Sequence, residues 1–144
     1  MRILAVDPGE KRIGIAISDP TGTIANPFMI IEHRSRLLDA GMIADLARQH
    51  EVQRIIVGQA LDEEGAPTVQ SRRAVRLAEV IRSQIDVPVE MWDESSSTLL
   101  AHQARLSAGA RRHRRRQHVD DLAATVILQS YLDENPDRKK ELDW

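Results

Sequence analysis

Short apolar runs separated by turn residues open the chain. Ile3-Leu4-Ala5-Val6 leads into the turn Asp7-Pro8-Gly9-Glu10-Lys11-Arg12, and a second run, Ile13-Gly14-Ile15-Ala16-Ile17, follows at once. Proline and glycine in so short an interruption predict a hairpin. Arg2 to Asp7, Arg12 to Ser18 and Ile24 to Glu32 read as three strands of a meander, the third less regular where Asn26-Pro27 interrupts it. The period then changes from two to that of a helix. Ser35 to His50 carries Leu38, Met42 and Leu46, with neighbouring Ile43 and Ala47, on one expected face, and the short strand Arg54 to Gly58 follows it. In Thr68 to Ile85, Ala74, Leu77, Ala78, Ile81 and Ile85 recur at helical spacing while Arg72, Arg73, Arg76 and Glu79 take other faces. Pro88 stops that helix. Val89 to Trp92 reads as a fifth strand, Ser96 to Leu106 as a helix, and Val119 to Leu132 as a long helix ending before Asn135-Pro136. A meander followed by alternating helices and strands predicts an α/β fold: a mixed five-stranded sheet, three strands antiparallel and two parallel, with helices on both faces.

At 144 residues the chain has the length of one domain spanning 1–144, with a short charged tail after about residue 134. An aromatic content of 3% means a core of Ile, Val, Leu and Ala, which disfavours binding by extensive aromatic stacking. The absence of cysteine excludes disulfides, thiolate metal sites and a thiol nucleophile. Any metal must then take oxygen or histidine ligands. No apolar run has the length of a membrane span or the flanks of a signal segment, so no membrane partner is expected and the cytoplasm is the default location.

Net charge is only −2, yet it is unevenly distributed. Arg105 and the run Arg111-Arg112-His113-Arg114-Arg115-Arg116 place six arginines within a dozen positions. Such a cluster either attracts polyanions with steep salt dependence or serves as a solvated surface segment. Acids recur at element ends: Asp7 after the first strand, Asp93-Glu94 after the fifth, Asp120-Asp121 in the first turn of the last helix. Helix capping accounts for an acid at a helix start. If these acids converge, their mutual repulsion demands a compensating cation. Magnesium or manganese suits carboxylate oxygens, and two such ions about 4 Å apart support phosphodiester hydrolysis.

The stretch Asp7-Pro8-Gly9-Glu10-Lys11-Arg12-Ile13-Gly14-Ile15-Ala16 resembles the N-terminal signature of the YqgF/RuvX family, RNase H-like proteins related to Holliday-junction resolvases. The resemblance continues through Val57-Gly58, Asp62-Glu63-Glu64-Gly65, Asp93-Glu94 with Ser97-Thr98, and Val119-Asp120-Asp121-Leu122-Ala123-Ala124 to Asp133. It implies an RNase H-like fold and a metal-dependent endonuclease that uses two Mg2+ or Mn2+ ions to process the 5′ end of pre-16S rRNA, to resolve Holliday junctions, or both. By the same resemblance Asp7, Glu94 and Asp120 are the catalytic carboxylates and metal ligands, with Asp93 a further ligand or a helix cap. Lys11, Arg12, Arg111, Arg112, Arg114, Arg115 and Arg116 are the expected phosphate contacts. His118, two residues before Asp120, is a candidate proton relay or an inert surface histidine.

Two departures stand out. Ser95 follows Asp93-Glu94 where the family usually has arginine, and Gly58-Gln59-Ala60 stands where it usually has Gly-Leu-Pro. The first removes a phosphate contact or ion pair, and the second alters the rim of the site; neither removes an expected metal ligand. A P-loop is excluded because Ile15-Ala16 occupy the positions that need Lys and Ser or Thr. Actin-like ATPases also begin with an Asp-containing hairpin, but they close two lobes over a nucleotide and this chain has length for one. A catalytically silent RNase H-like module that binds structured nucleic acid is the other reading. Symmetric cleavage of a junction would require a homodimer, whereas trimming one RNA strand would not.

Overall fold

The structure is a computed structural model and describes residues 1–94 and 119–134. Five strands, β1 (Ile3–Pro8), β2 (Arg12–Ser18), β3 (Ala25–Glu32), β4 (Arg54–Gln59) and β5 (Val89–Asp93), form one sheet in the order β3-β2-β1-β4-β5. The β1–β2 and β2–β3 pairs are antiparallel, and β4 runs parallel to both β1 and β5. This is the expected meander extended by two parallel strands. Pro27, which lacks a donor, is accommodated because β3 is an edge strand and its pairing with β2 shifts register between Ile15 and Ala16.

The hairpin between β1 and β2 is tight: the Gly9 N–H donates to Arg12 O at 2.9 Å, and a Cβ on Gly9 would lie 2.5 Å from that same oxygen. Only glycine fits this approach. The hairpin is tied in turn to the end of β3, where the His33 N–H donates to Lys11 O.

Alternation along the strands divides the core in two. Leu4, Val6, Ile55 and Val57 face α1 (Arg36–Gln49) and α2 (Val69–Gln84), while Ile3, Ala5 and Ile56 face α3 (Val119–Glu134). Both early helices start where their caps predict. Ser35 Oγ accepts the Leu38 N–H, and Thr68 with Ser71 forms a reciprocal capping box.

The buried face of α1 is the expected one at Ile43, Ala47 and the partly buried Leu46, and differs from it at Leu38 and Met42. Ala40, Ile43, Ala44 and Ala47 are buried, whereas Leu38 and Met42 are 57% and 41% exposed. Alanines let the α1 backbone lie close to α2, with Ile43 buried in the core beside them and Leu38 and Met42 turned outward. The helix expected over 96–106 and the tail after 134 lie outside the described residues.

Candidate active site

The strand alternation that buries Ala5 toward α3 puts Asp7 on that same face, at the carboxyl end of β1. Its cross-strand partner Gly14 carries no side chain to crowd it. On β5, Met91 belongs to the α1–α2 side and Trp92 to the α3 side. Asp93 therefore falls on the α1–α2 side and Glu94 on the side of Asp7. The Glu94 N–H donates to Gln59 O at 2.8 Å, so the β4–β5 ladder extends far enough to fix Glu94.

β4 lies between β1 and β5, so Glu94 must reach across it to meet Asp7. Gly58 opens the way. A Cβ there would lie 3.0 Å from Glu94 Oε2 and 2.6 Å from Ile127 Cδ1. With no side chain on β4 at this point, the Glu94 carboxyl crosses and is hydrogen-bonded to that of Asp7. Burial, then the charge of Asp7 and the hydrogen bond to it, then the charge of Asp93, push the Glu94 carboxyl up to about 7. Two acids held together out of water favour a shared proton or a bound cation.

α3 is oriented so that its first turn approaches the same edge. Gln129 accepts from the Ala25 N–H and donates to Thr23 O, and the Tyr131 hydroxyl accepts from Arg54 Nη1, all at the opposite end of the sheet from Asp7. Ile127 abuts Gly58, and Asp120 precedes it by two turns, about 10 Å of helix axis. Asp120 is thus carried on the helix turn directed to the Asp7–Glu94 end, and its side chain and that of Asp121 lie outside the described residues.

Of the expected site residues, the structure brings Asp7 and Glu94 together and does not bring Asp93 to them. Asp93 is exposed, pairs in register with Gln59, and sits on the other face because adjacent strand residues point opposite ways. Its charge is felt at Glu94 all the same. Lys11 and Arg12 are exposed on the hairpin, and alternation from Ile13 places Arg12 on the α3 side with Asp7. Arg111, Arg112, Arg114, Arg115, Arg116 and His118 lie outside the described residues. Among the described residues no three acidic or imidazole side chains gather as a preformed metal cluster.

Two supporting residues emerge: Gly58, which the sequence reading named only as a strand end and within family motifs, and Gln70, which it did not single out. Gln70, in the first turn of α2, accepts the Ala60 N–H on Oε1 at 2.6 Å and directs Nε2 toward Pro8 O at 3.5 Å. The Thr68 hydroxyl donates to Ala60 O. The ends of β1 and β4 are thereby joined through α2. The family's usual proline would have no N–H to offer Gln70, so Ala60 is matched to this partner. A glycine ending the apolar run Ile55-Ile56-Val57 was the available signal for Gly58.

The family model described as RuvX, Holliday junction resolvase, matches residues 1–134. A candidate pre-16S rRNA nuclease of Syntrophus aciditrophicus is 40% identical over 133 residues, covering 92% of this chain and 89% of that protein. A candidate pre-16S rRNA nuclease of Clostridium acetobutylicum is 39% identical over 132 residues, covering 92% and 98%. In fold, Thermus thermophilus RuvC in complex with a Holliday junction substrate superposes with a TM-score of 0.67 at 8% identity, over 99% of this chain and 96% of that one. The fowlpox virus Holliday junction resolvase superposes with a TM-score of 0.55 at 16% identity, over 92% and 99%. The sheet order, the acids at its carboxyl edge and the match over nearly the whole sequence agree, and the chain belongs to the RuvX family of Holliday junction resolvases.

Proposed function

We propose that this nuclease hydrolyses phosphodiester bonds in structured nucleic acid at the carboxyl edge of its sheet, with Asp7, Glu94 and Asp120 as the catalytic carboxylates. The observation that carries the reading is the meeting of Asp7 and Glu94 across Gly58. The Glu94 carboxyl, pushed up to about 7 beside that of Asp7, is one of a pair of partly buried acids whose hard oxygens suit a divalent cation. Asp7, Glu94 and Asp120 would hold Mg2+ or Mn2+, and a pair of such ions supplies an activated water and charge stabilisation at the leaving oxygen. The chain's own part is to release the Glu94 proton, to fix both carboxylates on rigid strand ends, and to limit water through the packing of Ile127 against Gly58. Lys11 and Arg12, with the arginines at 111, 112 and 114–116, would attract the flanking backbone.

Relatives named for pre-16S rRNA and a family named for Holliday junctions favour two substrates, an RNA with a 5′ extension and a four-way DNA junction. A cytoplasmic location follows from either role. No helix among the described residues is long and apolar enough to cross a membrane. A gel cleavage assay in Mg2+ or Mn2+, offering both substrates side by side with Asp7→Asn as control, tests the proposal. Paired symmetric nicks in the junction alone would identify a resolvase acting as a homodimer, and cleavage of the RNA alone an rRNA-processing enzyme. Tight binding without cleavage of either would overturn the nuclease reading in favour of a silent binding module, and undiminished cleavage by Asp7→Asn would overturn the carboxylate site.

A further inference from the structure

On the face of the sheet opposite Asp7 and Glu94, a cavity of about 230 Å³ opens between the β1–β2 hairpin, the start of α1 and the side of α2. Pro8 and Gly9 form one wall, His33, Arg36 and Asp39 a second, and Arg73 a third. The charges are disposed asymmetrically. Asp39 is 1% exposed and its carboxylate is already engaged: Oδ2 lies 2.5 Å from His33 Nδ1, and Oδ1 accepts the Arg34 N–H at 3.1 Å. The acid is thus internally compensated.

Arg73 is not. Its Nε is buried with no hydrogen-bond partner, and Nη2 is 3.9 Å from Glu10 Oε1, a carboxylate whose side chain is 80% exposed. At that distance and exposure the pair is weak, and Glu10 is free to turn into solvent. Arg36 adds a second guanidinium at the rim, and the capped N-terminus of α1 adds partial positive charge. A planar guanidinium fork with unused donors, beside a second arginine and facing a cavity, is matched to a tetrahedral oxyanion.

We propose that this cavity grips a second, non-scissile phosphodiester of the bound nucleic acid, with Arg73 as the principal contact and Arg36 as its companion; the proposal rests on the nuclease reading of the Asp7–Glu94 edge. Pro8 lines the cavity while its neighbour Asp7 points to the other face, so the two sites straddle the end of a single strand. A nucleic-acid strand crossing this edge meets the carboxylates on one side and Arg73 on the other. Such a grip adds binding at a point remote from the scissile bond, so Arg73 contributes equally to the ground state and the transition state.

The test uses the full chain in an Asp7→Asn background, with a labelled four-way DNA junction and a structured RNA as probes, titrated between about 50 and about 200 mM salt. Arg73→Gln is expected to raise Kd roughly five- to tenfold and to reduce the salt slope by about one, the contribution of one phosphate contact, with Arg73→Lys recovering part of the affinity. In the cleaving enzyme KM rises while kcat stays close to the parent value. Arg36→Gln, at an exposed position, repeats the test should Arg73→Gln fail to fold. An unchanged Kd and salt slope in folded variants would overturn the proposal while leaving cleavage, and with it the nuclease reading, intact. A parent protein that binds but never cleaves would overturn the nuclease reading, and the proposal that rests on it, even if the Arg73 effect on Kd were found. Inorganic phosphate distinguishes a nucleic-acid contact from a site for a free phosphate ligand. Perturbation of the His33 imidazole resonances by phosphate, lost in Arg73→Gln and accompanied by the weaker nucleic-acid binding, supports the proposal; the same perturbation with nucleic-acid binding unchanged overturns it.

Discussion

Replacing Gly58 by alanine should damage stability and activity through two different atoms. The new Cβ would lie 2.6 Å from Ile127 Cδ1, whereas ordinary carbon contacts are about 3.5–4.0 Å, so one partner must move by roughly 1 Å. Ile127 is only 2% exposed and cannot turn its side chain into solvent. Overpacking of this kind costs about 1–3 kcal/mol, offset by about 0.5–1 kcal/mol from the smaller backbone entropy loss of alanine. A net loss of about 1–2 kcal/mol corresponds to a fall in Tm of roughly 2–8 °C for a chain of this size. Thermal unfolding followed by circular dichroism measures it. Ile127→Val removes the clashing Cδ1 at its own cost of about 0.5–1.5 kcal/mol. The double variant should therefore be more stable than the sum of the singles predicts, by on the order of 1 kcal/mol. Activity should not follow. The same Cβ lies 3.0 Å from Glu94 Oε2, so the carboxyl is displaced whatever happens at Ile127, and cleavage should fall more than tenfold in both Gly58→Ala and the double variant. A Gly58→Ala protein with parental Tm and parental cleavage would refute the crossing of Glu94 over β4.

Further perturbations address the electrostatics and the rim. The Glu94 carboxyl is held at about 7 against an ordinary 4.5, so between those values the unfolded chain has released a proton that the native chain keeps; metal-free stability should fall as pH rises through that window, by on the order of 2 kcal/mol, and level off above it. Denaturant unfolding in a chelator should show this fall in the parent protein and not in Glu94→Gln. Ala60→Pro, which restores the family's usual residue, removes the N–H that Gln70 Oε1 accepts at 2.6 Å and should cost about 1 kcal/mol, read as a lower denaturant midpoint. Replacing Arg114, Arg115 and Arg116 together should weaken substrate binding and flatten its salt dependence, and an unchanged slope in a filter-binding titration would return the run to ordinary surface charge.

How much of this was legible in the sequence depended on whether a residue acts through its own chemistry or through its neighbours. The meander, the two parallel strands and the spans of α1 and α2 followed from periodicity and turn residues, both of them local signals. Asp7 was legible for the same reason, since a charge that closes an apolar strand ahead of a tight turn has few places to go. Choosing between Asp93 and Glu94 was harder. Met91 and Trp92 are both apolar, so period-two alternation names no inner face until both faces are known to be buried against helices. The face of α1 was read correctly at Ile43, Leu46 and Ala47 and misread at Leu38 and Met42, where bulk was taken for burial: Ala40 and Ala44 offer an equally helical stripe, and close packing against α2 favours them.

The same distinction explains why α2 was read too simply. Its apolar stripe of Ala74, Leu77, Ala78 and Ile81 was plain, and Arg72, Arg73, Arg76 and Glu79 were placed only on its other faces, with no role. Yet Gln70 joins the ends of β1 and β4, and Arg73, one turn further, lines the cavity behind Pro8 with its inner nitrogen buried. A helix packed beside the carboxyl edge of a parallel sheet presents its first turns to that edge, so side chains there are neither core nor free surface. They face the backbone that holds Asp7. On the proposed reading, stiffening that backbone from one face while the carboxylates work on the other would let a single strand end serve position and chemistry together, and the cost of a loose strand end would fall on the Asp7–Glu94 contact, whose geometry spans three strands.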